Sequence, residues 1–129
     1  MAAPTIRIIP LGGIGEVGKN MLVVECGDDI IVIDAGLKFP EEEMLGVDLV
    51  IPDTSYLLEN KHRVRGIIIT HGHEDHVGAL PYIVSDLDAP IYSTSLTRGL
   101  IAVKLREHRL VDEARLNLVE PGELLRLGA

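Results

Sequence analysis

The segment "VRGIIITHGHEDHVGAL" constrains this chain more than any other. Val64 to Thr70 is an apolar, β-branched run of the kind that becomes a buried strand. Directly after it stand four side chains able to bind a cation: His71, His73, Asp75 and His76. A buried strand running into such a cluster obliges the fold to bring a sheet edge and a polar site together. On extended backbone alternate residues share a face, so His71 and His73 can reach one cation, with Gly72 permitting a close turn between them. Asp75 and His76 follow where the chain can curl into a helix, and point to a neighbouring position. The spacing suits two adjacent metals. Imidazole nitrogens with a carboxylate oxygen favour zinc, with manganese as an alternative. Two such cations activate water at neutral pH and clamp an oxyanion, which suits hydrolysis of phosphodiester or acyl bonds. Glu74 is expected to turn away from the cluster, and His62 and His108, lying among charged residues, to be solvated. Asp34 ends another buried strand. It either caps the following turn or hydrogen-bonds a ligand histidine from behind, and the second reading is preferred.

A second motif competes for attention. "PLGGIGEVGKN", Pro10 to Asn20, fits both a dinucleotide fingerprint and a P-loop, with Asn20 where a P-loop needs Ser or Thr. Both motifs require a helix directly after the glycines, whose N–H groups hold the phosphate. Here Asn20 to Cys26 has no helical period, and Gly27-Asp28-Asp29 reads as a hairpin turn into "IIVIDAG". There is no room for a crossover helix. The glycines are expected to serve a tight loop between strands.

The 129 residues suffice for one domain, 47% hydrophobic, with Ile, Leu and Val in place of aromatics as core. A net charge of −8 excludes nucleic-acid binding through the overall field, though a metal can supply local positive charge. The one cysteine, Cys26, cannot form an internal disulfide, which points to a reducing cytoplasm. No signal peptide and no run of about 20 apolar residues is visible, so a soluble protein is expected, without a membrane partner.

Along the chain, strands are expected at Ile6–Ile9, Asn20–Cys26, Ile30–Gly36, Val64–Thr70 and Ala89–Thr94. Short helices are expected in "TSYLLENK", capped by Asp53 or Thr54, and in "VGALPYIVSDL", with Pro81 in the first turn. "SLTRGLIAVKLREHRL" reads as an amphipathic helix with Leu96, Leu100, Val103 and Leu110 inside. "ARLNLVEPGELLRLG" reads as strand, Pro-Gly turn and strand, and Ala129 then follows an apolar strand whose neighbours are not in view. That pattern suggests that residues 1–129 are part of a larger domain.

The motif His71-x-His73-x-Asp75-His76 resembles that of the metallo-β-lactamase superfamily. "LGGIGEVGKNMLVVE", "IVIDAGLKFPEEEMLGVDLVIPD" and "ITHGHEDHVGALPY" are together similar to the ribonuclease J group of β-CASP RNA nucleases, over essentially all of the chain. The resemblance implies an α/β fold of α+β type, an αββα sandwich of which this chain is the N-terminal portion, without the β-CASP and C-terminal domains. It implies a 5′-to-3′ exoribonuclease and endoribonuclease of single-stranded RNA, cytoplasmic, and homo-oligomeric at full length. By the same resemblance His71 and His73 hold a first zinc, and Asp75 and His76 a second. Asp75 and His76 are then catalytic, with Asp75 helping to position the attacking water. The group completes its site with a further His, a bridging Asp and a later His downstream, so this chain alone is expected to be weak or inert. Some members also hold calcium in the loop matching Gly46 to Asp48. Gly46 and Asp48 are therefore candidate calcium ligands, although one carboxylate and one carbonyl are few for that ion. The alternatives are another hydrolase of the same fold, a lactonase or thioesterase, and a non-catalytic module that binds metal or RNA.

Overall fold

A computed structural model describes residues 3–129. Six strands form one mixed sheet in sequence order, β1 (Ile6–Gly12), β2 (Met21–Cys26), β3 (Asp29–Ile33), β4 (Val64–Ile68), β5 (Ile91–Ser93) and β6 (Leu116–Leu118). The first three pair antiparallel, through short connections, and β3 to β6 pair parallel. Parallel neighbours need crossovers, supplied by α1 (Ser55–Glu59), by α2 (Glu74–Val77) with α3 (Leu80–Leu87), and by α4 (Ser95–Glu107). Crossovers between parallel strands are almost always right-handed. Because the strands advance in one direction across the sheet, that rule puts every helix on the same face.

The core matches this arrangement. Met21, Val23, Ile30, Val32, Ile67, Ile69 and Ile91 line one sheet face and pack with Leu57, Leu80, Ile83, Leu87, Ile101 and Leu105 from the helices. Alternate residues point the other way. Ile6 and Ile8 on that second face are each 64% exposed, and Leu22, Val24, Ile31, Ile33, Ile68 and Tyr92 are only half-buried. One α layer on one sheet is half of the expected sandwich, and the second face is apolar enough to take another layer.

Local sequence explains most boundaries. Asp53 Oδ1 accepts from the Ser55 N–H (3.0 Å) and hydroxyl (2.6 Å) at the start of α1, whereas Thr54 makes no side-chain cap. Pro81 sits in the first turn of α3, where its missing N–H costs nothing. Two expectations fail. Leu96 (77% exposed), Leu100 and Val103 are on the exposed side of α4, and its buried stripe is Thr97, Ile101 and Leu105. The helix carries two adjacent apolar stripes, and packing on β5 and β6 selects the one that a 3.6-residue period alone could not. Beyond β6, Pro121-Gly122 does form a turn, but residues 123–129 make no strand. Leu124 is solvent-exposed there, without a neighbouring strand to pair with.

A buried carboxylate closes the sheet's far end. Glu25 ends the core face of β2, and both its oxygens lie 2.9 Å from the Tyr56 hydroxyl. Arg63 pairs with it, and Arg7 Nη1 lies 3.0 Å away. Burial pushes its pKa up, but the Tyr56 and Arg63 hydrogen bonds and the charges of Arg63 and Arg7 outweigh that and hold it below 4.5. A carboxyl whose pKa is lowered by folding stabilises the fold above its unfolded value, and that stability is lost as pH falls through the folded value. Glu25→Gln should therefore lower the urea midpoint at neutral pH, with the gap to wild type narrowing as pH drops below 4.5. A gap independent of pH would refute this assignment.

Candidate metal centre

Ile69 still bonds β5, its N–H donating to the Tyr92 carbonyl at 2.9 Å, and the chain then leaves the sheet at Thr70. His73 caps α2 with extended backbone (φ −73°, ψ 150°), its carbonyl accepting from the His76 and Val77 N–H groups at 2.9 and 3.0 Å. A four-residue helix is too short to hold itself. Its support comes from the exit of β3, which runs beside it: Ala35 N–H donates to the His76 carbonyl (2.8 Å), Leu37 N–H to Glu74 (3.0 Å), and Ala79 N–H returns to Ala35 (2.9 Å).

The glycine loop supplies the next brace. It is a connection between antiparallel strands, followed by β2 and not by a helix. The backbone N–H and the side-chain amide of Asn20 both donate to the Asp75 carbonyl, at 3.1 and 3.0 Å, while the Asn20 carbonyl accepts from Gly36 N–H at 2.9 Å. Asn20, which in a P-loop would face a phosphate, here holds the helix that carries Asp75 and His76.

Asp34 is the centre of the side-chain network. It is buried and has φ +67°, a left-handed conformation that Asp tolerates better than most residues and that marks a functional position when the surroundings enforce it. Its Oδ1 accepts the Thr70 N–H at 2.8 Å, the Thr70 hydroxyl lies 3.0 and 2.9 Å from its two oxygens, and Oδ2 is 2.7 Å from His76 Nδ1. Thr70 Oγ1 is in turn 3.1 Å from His71 Nδ1. The carboxylate can only accept, so the network closes when Thr70 donates to Asp34 and both histidines carry their proton on Nδ1. That tautomer leaves the Nε2 lone pairs of His71 and His76 free for a cation.

The two rings lie together, with centroids 3.9 Å apart, and His76 Nε2 is 3.5 Å from Asp75 Oδ2. One ligand atom from each of His71, Asp75 and His76 falls within 4.8 Å of the others, the one such group among the described residues. His73 stands beside it, its ring 4.8 Å from that of His71 and edge-on, outside the group of three. Glu74 turns away and pairs with Lys104 of α4. Gly46 and Asp48 are exposed, Gly46 at φ +78° in a turn closed by Val47 N–H to the Met44 carbonyl (3.3 Å), and neither belongs to the cluster. Thr70, Asn20 and Gly36 were not legible as site residues. The one sequence signal for Thr70 is a hydroxyl directly before the first histidine.

A profile described as the metallo-beta-lactamase superfamily matches residues 14–121. "Ribonuclease J 2" of Staphylococcus aureus (strain MRSA252) is 50% identical over 121 residues, 94% of this chain and 22% of that protein. The chain thus spans about a fifth of the curated relatives it matches. Among solved structures, a protein of unknown function from Enterococcus faecalis V583 superposes with a TM-score of 0.70 at 16% identity, over 98% of this chain and 36% of that one. A B3 metallo-beta-lactamase with an active-site glutamic acid superposes with a TM-score of 0.56 at 19% identity, over 89% and 44%. At these identities the superpositions establish the fold.

Proposed function

The chain belongs to the metallo-β-lactamase superfamily, and from that premise we propose that it is the metal-binding portion of a ribonuclease that cleaves single-stranded RNA in the cytoplasm, exonucleolytically from the 5′ end and endonucleolytically. The identity with ribonuclease J 2 supports a metal-dependent nuclease family. The observation that carries the reading is the cluster of His71, Asp75 and His76 with Asp34 behind it.

The donor set fits zinc: two imidazole nitrogens and a carboxylate oxygen converge, and the far nitrogen of each imidazole is already tied down, as a histidine zinc ligand requires. His71, His73, Asp75 and His76 would hold the metal, zinc or manganese, which supplies a Lewis acid that activates water and stabilises phosphoryl charge. The chain's own residues do the rest. Asp34 fixes the rotamers and tautomers of His71 and His76, through Thr70 for the first and directly for the second. Asp75, half-buried and beside His76, orients the attacking water by accepting a hydrogen bond from it. Asn20 fixes the backbone of Asp75. Three or four side chains at two cations leave each shell short, so we propose that the 129-residue chain alone binds metal weakly and cleaves RNA poorly. A full-length protein would complete the site and assemble with copies of itself. Gly46 and Asp48 would hold a structural calcium only with ligands from outside their turn.

The test is cleavage of 5′-monophosphorylated single-stranded RNA with zinc or manganese, by a protein of the relatives' length carrying this sequence and by its H73A/H76A variant. The expected result is release of mononucleotides, abolished in the variant. Intact RNA with metal bound would overturn the ribonuclease reading and favour an ester substrate.

A further inference from the structure

Three of the four candidate ligands are braced by the exits of β3 and β4 and by the entry to β2. Thr70 and Asp34 tie the rings of His71 and His76, and Asn20 ties the backbone of Asp75. The His73 ring has no hydrogen bond of this kind among the described residues, and it stands outside the group of three. Its two neighbours in the chain are nevertheless both engaged, and by one element, α4. Gly72, just before it, is seated on Leu100: a Cβ on that glycine would fall 2.5 Å from Leu100 Cδ1. Glu74, just after it, pairs with Lys104 Nζ. Leu100 and Lys104 are four residues apart on one helix, so they present adjacent side chains on a single surface.

We propose that Leu100 and Lys104 are positioning residues for His73: by holding the backbone on both sides of this histidine, α4 keeps its ring at the metal cluster. The proposal rests on the metal-centre reading given above and adds to it the helix that orients the remaining ligand. Glycine is the least restrained residue, and one stands directly before His73, so without support the ring would sample many positions. Leu100 occupies the space that a Gly72 side chain would take and removes that freedom. The Glu74–Lys104 pair, with side chains 44% and 20% exposed, contributes little to stability as an ion pair. Nor is it what anchors α4, because Thr97, Ile101 and Leu105 already bury the core-facing stripe of that helix. Leu100 and Lys104 lie outside the stripe, and both reach the segment that carries His73. Their effect is therefore on where His73 sits, not on whether the helix packs.

The test compares the chain with its Lys104→Met, Lys104→Arg and Leu100→Ala variants. NMR relaxation of the histidine ring carbons, recorded without zinc, should show a more mobile His73 in K104M and L100A, with His71 and His76 unchanged. K104R, which keeps the charge and the reach, should match the wild type. On addition of zinc, K104M should bind up to about fivefold more weakly, and the shift of its His73 ring should shrink while those of His71 and His76 persist. Glu74→Gln breaks the same pair from its other end and should reproduce K104M, which keeps the test decisive if K104M folds poorly. A His73 ring as rigid in K104M, E74Q and L100A as in the wild type would overturn the assignment. So would equal loosening of all three rings, which marks a general structural role. The zinc-free arm needs neither metal nor turnover, so the positioning can fail while RNA cleavage stands, and the reverse.

Discussion

Replacing Asp34 with alanine is expected to weaken zinc binding by about 10- to 100-fold without removing any residue that touches the metal. The carboxylate receives the Thr70 N–H, the Thr70 hydroxyl and His76 Nδ1, so its loss frees both histidine rings at once. His76 loses a direct partner at 2.7 Å, and His71 loses the orientation that Thr70 transmits at 3.1 Å. Asp34→Asn separates geometry from charge. An amide can still accept from Thr70, but it cannot accept the His76 proton with its NH2 group, so its affinity should fall between alanine and wild type. Thr70→Val, which removes only the hydroxyl, should affect His71 alone. Isothermal titration with zinc reads all three. Wild-type affinity in D34A would show that the network is structural only.

The second large effect concerns a residue that touches no ligand. A Cβ on Gly36 would sit 1.6 Å from the Asp75 carbonyl oxygen and 2.8 Å from the Asn20 nitrogen. Both are backbone atoms tied into the ladder that holds α2, so neither can yield alone. Gly36→Ala should cost roughly 3 kcal/mol or more, through displaced backbone and broken hydrogen bonds. Gly99 is the matched control. It lies within α4 with nothing near its missing Cβ, and Gly99→Ala should stabilise by up to about 1 kcal/mol. Thermal melts by circular dichroism distinguish the two. An unchanged melting temperature for G36A would mean that α2 is not held as described.

The parts of this fold that a sequence exposes are those written in local chemistry. A buried run ending in His-Gly-His-Glu-Asp-His announces its cluster, and a strand directly after Gly13 to Gly18 disqualifies the loop as a nucleotide site, because no helix N-terminus follows. What stayed hidden depends on residues distant in sequence. Asn20 meets Asp75 across 55 residues, and Thr70 meets Asp34 across 36. No period or spacing encodes such meetings. In α4, Leu96, Leu100 and Val103 make as good a stripe on paper as Thr97, Ile101 and Leu105, and only the position of β5 and β6 decides. His73 illustrates the same limit. Alternation along extended backbone pairs it with His71, but the turn into α2 sets its ring apart from the group that His71 forms with Asp75 and His76.

Through their hydrogen bonds Asp34 and Thr70 would present the Nε2 atoms of His71 and His76 to metal beside Asp75. The histidine nitrogen NMR spectrum of the chain, recorded before and during zinc addition, tests it most directly, and it works even where binding is weak. Both residues should show a protonated Nδ1 before zinc and keep it afterwards, while their Nε2 signals shift together and His62 and His108 stay still. Coordination through Nδ1 of His76, or zinc reaching His62 or His108 first, would contradict the claim.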